Sequence, residues 1–112
     1  MKEHRPWGHY EILNNSHNYQ LKLLTINPSE STSLQRHYKR AEHWIVLSGT
    51  ATVTVGNKVV SVNKDDQLFI DKEMIHRISN MTDQPVEIIE VQTGDYFGED
   101  DIERLCDKYG RP

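Results

Sequence analysis

The sequence predicts an all-β barrel, on three observations. Short runs rich in Val, Ile, Thr and aromatic residues recur at regular intervals. Turn-forming residues separate them. No helical period of apolar residues appears before the C-terminal segment.

Taken in order, Tyr19 to Ile26 is a candidate strand of mixed apolar and polar residues, closed by Asn27-Pro28-Ser29, and His43 to Leu47 is a second, ending at Ser48-Gly49. Thr50 to Val55 alternates Thr and Ala with Val, and Gly56-Asn57 turns the chain back into Lys58 to Val62, as expected of a tight hairpin. Asn63-Lys64-Asp65-Asp66 is a turn, followed by strands at Gln67 to Ile70, Ile75 to Asn80 and Val86 to Gln92. This spacing favours a closed barrel or jelly roll. Val59-Val60 and Ile88-Ile89 break the alternation, which predicts burial on both faces by a second sheet or a partner subunit. Beyond Gln92 the chain becomes loop-like. The acidic start of Glu99-Asp100-Asp101-Ile102-Glu103-Arg104-Leu105 then predicts a short C-terminal helix.

The 112 residues suffice for one modest core, so residues 1–112 are expected to form a single domain, with any site inside it or at an oligomer interface. A net charge of −4 with scattered basic residues argues against a nucleic-acid partner and for a small, locally held anion. The first eight residues lack the apolar core of a signal peptide and no later run is long enough to span a bilayer, which predicts a cytoplasmic location. Cys106 is the only cysteine. It excludes an intramolecular disulfide and a multi-thiolate zinc site, and is expected to pack as a small side chain under the C-terminal segment.

Four residues have the chemistry and spacing of a metal site: Gln35, His37, Glu42 and His76. Gln35 and His37 are two apart, so on a strand they share a face. Four residues between His37 and Glu42 are enough for the chain to turn back, and His76 must then arrive on a strand distant in sequence. Imidazole, carboxylate and amide oxygen suit a borderline divalent cation and leave positions open for substrate. Taken singly, each residue type more often meets only water. Glu42, however, heads the apolar run Trp44-Ile45-Val46-Leu47, where an unpaired carboxylate would be costly. Trp44 is expected in the core, and Trp7 as an anchor for the N-terminal segment.

His37-x4-Glu42-x6-Gly49 and His76-x3-Asn80 resemble the two signature motifs of the cupin superfamily, small β-barrels that carry one metal ion. More narrowly, Arg5-Pro6-Trp7-Gly8, Ser33-Leu34-Gln35-Arg36-His37, Arg40-Ala41-Glu42-His43-Trp44, Ile89-Glu90-Val91-Gln92, Gly98-Glu99-Asp100-Asp101-Ile102 and Asp107-Lys108-Tyr109-Gly110-Arg111 look like the type II mannose-6-phosphate isomerase domain. Gln35 stands where the general cupin pattern has His, and is characteristic of those isomerases. Two glycines usual in the motifs are absent, from Pro28-Ser29-Glu30 and from Asp71-Lys72-Glu73, which leaves the geometry of those turns open.

The resemblance implies a cupin barrel with a short helical C-terminal segment and a metal-dependent isomerase that interconverts mannose 6-phosphate and fructose 6-phosphate through an enediol. Zinc is the first choice of metal, with Mn, Fe, Co or Ni also suited to the ligands. Lys22 and Glu90 are the candidates for the base. His43 is weaker, because alternation points it away from Glu42. Arg104 and Arg111, in the family-like ending, are candidates for the substrate phosphate, with Arg40 and Arg77 as alternatives. A homodimer is expected. In its usual setting the domain follows a nucleotidyltransferase, but this chain carries neither a Gly-rich phosphate loop nor a βαβ pattern, so guanylyl transfer is not expected of it. The alternative reading is a non-catalytic sugar-phosphate-binding cupin, or a docking partner of a separate mannose-1-phosphate guanylyltransferase. A cupin dioxygenase or nucleotide-sugar epimerase fits less well, given Gln35 and the metal ligands.

Overall fold

The computed structural model describes residues 2–111. Among these residues eleven strands occur in chain order: β1 Lys2–Arg5, β2 Gly8–Asn15, β3 Tyr19–Ile26, β4 Leu34–Arg36, β5 Arg40–Ser48, β6 Ala51–Val55, β7 Lys58–Val62, β8 Gln67–Ile70, β9 His76–Ser79, β10 Val86–Gly94 and β11 Glu103–Cys106. Six form one antiparallel sheet in the order β1-β2-β3-β10-β5-β8, and five form a second in the order β11-β4-β9-β6-β7. The Gly56-Asn57 turn joins β6 and β7 in the register the hairpin predicts, with Val55 opposite Lys58 and Ala51 opposite Val62.

Alternation along the central strands sets up the site. The buried side chains of β3 are Gln20, Lys22, Leu24 and Ile26; of β5, Arg40, Ala41, Glu42, Trp44 and Val46; of β10, Val86, Ile88, Glu90 and Gln92. β10 runs antiparallel to both neighbours, with Glu90 opposite Lys22 and Trp44, and Gln92 opposite Gln20 and Glu42. All three strands therefore turn polar toward the same end of the barrel. The apolar halves, with Ile26, Val46, Val53, Ile78, Val86 and Ile88 buried, make the core at the other end.

The predicted C-terminal helix is absent: there is no helix among the described residues, and Glu103–Cys106 instead pairs antiparallel with β4. The acidic residues that suggested a helix start have other partners. Asp101 accepts hydrogen bonds from the backbone N–H groups of Tyr38 (3.0 Å) and Lys39 (2.9 Å), and Glu103 from Arg36 Nε (2.5 Å). Glu99 is ion-paired with Lys22. Carboxylates used in long-range pairing cannot cap a local helix, so tertiary contacts override the propensity. Two smaller expectations also fail. Val59 is 67% exposed, because β7 is a sheet edge with one face on solvent, and Cys106 is exposed rather than packed.

The two missing glycines leave their backbone conformation behind. Ser29 has φ 64° and Glu73 φ 66°, both in the left-handed region that glycine favours. Glu73 is fixed there by its N–H, which donates to His37 O at 2.6 Å. The turn thus ties the approach to His76 to the end of β4. Restoring glycine by Glu73→Gly or Ser29→Gly relieves about 1–2 kcal/mol of backbone strain and loses about 0.5–1 kcal/mol to chain entropy. Each is expected to raise stability by about 0.5–1 kcal/mol, read from denaturant titrations. Gly49, which the motif retains, has φ 82°, and a Cβ there would lie 2.7 Å from Pro85 O. Asn80, also of the motif, is structural: its amide donates to Ile26 O (3.0 Å) and Gln84 O (2.7 Å), and its oxygen accepts from Thr82, fixing the turn into β10.

Candidate active site

His37 leaves the end of β4, Glu42 lies on β5 and His76 opens β9, and their ligand atoms all fall within 4.8 Å of one another. All three side chains are buried. Each imidazole is oriented by a backbone carbonyl: His37 Nδ1 donates to Asp101 O at 2.6 Å, and His76 Nδ1 to Met74 O at 2.9 Å. Both Nε2 atoms are thereby turned toward Glu42, at 3.5 Å from Oε2 for His37 and 3.7 Å from Oε1 for His76. A carbonyl that holds one ring nitrogen and aims the other is how metal-binding histidines are commonly set. Gln35 is directly opposite His76 in the β4–β9 ladder and lines the same cavity, its Oε1 accepting from Ser33 Oγ at 3.2 Å.

The electrostatics also suit a cation. Burial pushes the Glu42 carboxyl up, but its neighbours His76, Arg40 and His37 and the hydrogen bond from Arg40 outweigh it and hold Glu42 ionised. Burial lowers His37, against the pull of Glu42, which favours the neutral ring a metal needs. His76 Nε2, Arg40 Nη1 and Gln92 Oε1 are buried without a hydrogen-bond partner, and all three residues line this cavity. Orphaned polar atoms converging on one space mark a site built to receive a ligand. Two imidazoles and a carboxylate, closed to bulk water and open to the cavity, fit a divalent ion.

The cavity encloses about 70 Å³ of free space and opens through a mouth to solvent. Glu90 faces it from β10, and Gln92 Nε2 donates to Glu90 Oε1 at 2.6 Å. Burial and the neighbouring charge of Glu42 push Glu90 up to about 8, against Lys22 and Arg40. Lys22 faces the cavity from β3 and donates to Glu99 Oε2 at 3.2 Å.

The arginines separate. Arg104 and Arg111 line the cavity, Arg111 held by Asp107 through Nε and Nη2, each at 2.9 Å. Arg40 is buried beside the histidines, with Nε on Glu42 Oε2 at 3.0 Å and Nη2 3.3 Å from His37 Nε2. Arg77 lies outside the cavity lining and donates to Thr32 O and Cys106 O. His43 points outward, its ring against Phe69 at 4.7 Å, as alternation predicts. Trp44 is core, and its Nε1 donates to Glu42 Oε1 at 3.2 Å. Sequence reasoning missed Arg5, Tyr10, Gln92 and Glu99 as lining residues. Gln92 was within reach, being two positions from Glu90 on one strand. Arg5 and Glu99 meet only through tertiary structure.

Residues 1–107 match the family model described as mannose-6-phosphate isomerase C-terminal. The chain belongs to this family. This member of the mannose-6-phosphate isomerase C-terminal family is 48% identical over 108 residues to the alginate biosynthesis protein AlgA of Pseudomonas aeruginosa, covering 96% of the chain and 22% of that protein. It is 46% identical over 110 residues to the xanthan biosynthesis protein XanB of Xanthomonas campestris, covering 98% and 24%. Against a mannose-1-phosphate guanylyltransferase of Salmonella montevideo the identity is 43% over 108 residues, covering 96% and 23%. The chain thus spans less than a quarter of these relatives' length. Among solved structures it resembles an oxalate decarboxylase of Lactobacillus farciminis (TM-score 0.81, 20% identity, 94% of this chain and 33% of that one). It also resembles the cupin domain of Schizosaccharomyces pombe Cnp3 (TM-score 0.74, 14% identity, 78% and 64%). At such identities these show the cupin fold alone.

Proposed function

We propose that residues 1–112 act as one cupin domain, a metal-dependent isomerase interconverting mannose 6-phosphate and fructose 6-phosphate. One observation carries the reading: a single cavity joins a buried His-His-Glu cluster to an excess of cations, with Arg5, Lys22, Arg40, Arg104 and Arg111 outnumbering Glu42, Glu90 and Glu99. Family membership supports the sugar. Gln35, His37, Glu42 and His76 would hold one divalent ion, zinc being our first choice ahead of Mn, Fe, Co or Ni. When bound, it supplies Lewis acidity toward the C1 and C2 oxygens of the open-chain sugar.

The chain's own residues do the rest. Glu90 carries the proton between C1 and C2 on its carboxylate oxygen, and its raised proton affinity suits exchange near neutral pH. Gln92 fixes the carboxylate in one orientation. Trp44 and Arg40 hold Glu42 in place. Arg104 and Arg111, which also line the cavity, add positive charge that favours entry of an anionic substrate. Elemental analysis and a coupled mannose 6-phosphate assay on one preparation test the proposal: about one divalent ion per chain and turnover abolished by chelator are expected. Metal-loaded protein without turnover would sink it.

The relatives' greater length favours a second reading, that the domain serves a mannose-1-phosphate guanylyltransferase docked to it as a separate chain. Activity that appears only with such a partner would select this reading. We further propose a homodimer through the outward face of the larger sheet, where Ile45, Leu47 and Phe69 are exposed, testable by light scattering. No helix of the described residues is long and apolar enough to cross a membrane. A cytoplasmic location, where sugar phosphates are metabolised, fits the proposed substrate.

A further inference from the structure

Lys22 is a cost to the barrel. It is only 4% exposed, on a strand whose next two inward residues are Leu24 and Ile26, and an apolar side chain there would avoid desolvating an ammonium. Its ionic partner does not repay that cost, because Glu99 stands on the irregular segment between β10 and β11 with half of its side chain exposed. Arg5, arriving from the end of β1, approaches the same carboxylate: Nη2 is 3.8 Å from Glu99 Oε1 and donates to Tyr10 Oη at 3.2 Å. The Tyr10 ring lies beneath both cations, with Lys22 Nζ 4.3 Å and the Arg5 guanidinium 5.1 Å from its centroid. Two cations from different strands thus converge on one carboxylate at the wall of the cavity that holds the His-His-Glu cluster.

We propose that Arg5 and Lys22 form a subsite for a phosphate monoester, and that the Glu99 carboxylate fills it from within and gives way to the phosphate. The reading rests on the proposed sugar-phosphate substrate and deepens it. A phosphate dianion carries more charge and more acceptor oxygens than a carboxylate, so it competes successfully for an arginine and a lysine. Glu99 is the member able to leave. Its side chain has solvent beside it, whereas Lys22 is enclosed and Arg5 is anchored by Tyr10 and by His4 O. The carboxylate neutralises two cations when no phosphate is present and discriminates against uncharged sugars, which cannot displace it.

Calorimetric titration of the full chain, treated with chelator, with inorganic phosphate tests the subsite apart from any metal or turnover. Glu99→Gln is expected to bind phosphate about three- to fivefold more tightly than the wild type, and Arg5→Met about three- to fivefold more weakly, each equivalent to one exposed-to-half-buried ion pair. KM for mannose 6-phosphate should move in the same directions. Phosphate affinity unchanged or weakened in Glu99→Gln overturns the proposal. Should either variant fail to fold, the Arg5 Nε–H resonance of the wild type serves instead: a saturable shift on adding phosphate supports the subsite, and no shift overturns it. Phosphate binding as expected without isomerisation would leave the subsite standing and refute the isomerase. Isomerisation with no effect of Glu99→Gln on phosphate would do the reverse.

Discussion

Glu42→Ala is expected to lose metal and to destabilise the metal-free protein by about 3–5 kcal/mol, because it strands a buried guanidinium. Arg40 is 6% exposed and its Nε depends on Glu42 Oε2. Trp44 Nε1 loses its acceptor in the same change. His76→Leu provides the contrast. It keeps the Arg40–Glu42 pair, replaces an Nε2 atom that makes no hydrogen bond, and loses the bond to Met74 O, so its cost in chelator should be only about 1–2 kcal/mol. Both variants should bind a divalent ion at least a hundredfold more weakly, since loss of an outer-shell partner alone costs up to about that much. Denaturation in chelator with parallel metal titrations separates the roles. Equal stability of the two variants would refute the account of Arg40, and metal retained by either would refute the ligand set.

Glu90→Gln should keep the metal and lower turnover by about 10²–10⁴-fold, the usual contribution of a positioned acid–base group. The same substitution has a signature in stability. The Glu90 carboxyl is raised from 4.5 to about 8 by burial and by Glu42, so between those values the folded metal-free chain holds a proton that the unfolded chain releases. The stabilisation is complete below about pH 4.5 and disappears as pH rises through about 8. Glutamine does not titrate, so the variant should lack this decline and be the more stable protein at alkaline pH. A wild type with no alkaline loss of stability across that window, or a variant that shares it, would contradict the assignment.

Much of this site was legible in the sequence because strands impose a period of two. Alternation points His43 away from Glu42, and a carboxylate at the head of the apolar run Trp44-Ile45-Val46-Leu47 marks Glu42 as a residue with a partner. The metal cluster emerged from residue chemistry together with that period. What stayed hidden depended on pairing across the barrel. β4 has three residues and no apolar pattern, yet it positions Gln35 and His37 because β9 and β11 flank it. Asp100 and Asp101 read as a helix start, since local sequence cannot show that the Asp101 carboxylate will be taken by the amides of Tyr38 and Lys39. Arg5 and Glu99 lie at opposite ends of the chain, and only closure of the barrel brings them together.

The polar end of the barrel separates what selection for durability would reward from what selection for chemistry requires. Gln20, Lys22, Arg40, Glu42, Glu90 and Gln92 occupy inward positions that Leu24, Val46 and Ile88 show can be filled by hydrocarbon. A library randomised at those six codons and screened only for heat resistance should drift toward apolar residues, yielding hardier barrels with no site. Screening the same library for sugar-phosphate turnover should restore the charges and surrender the gain in melting temperature.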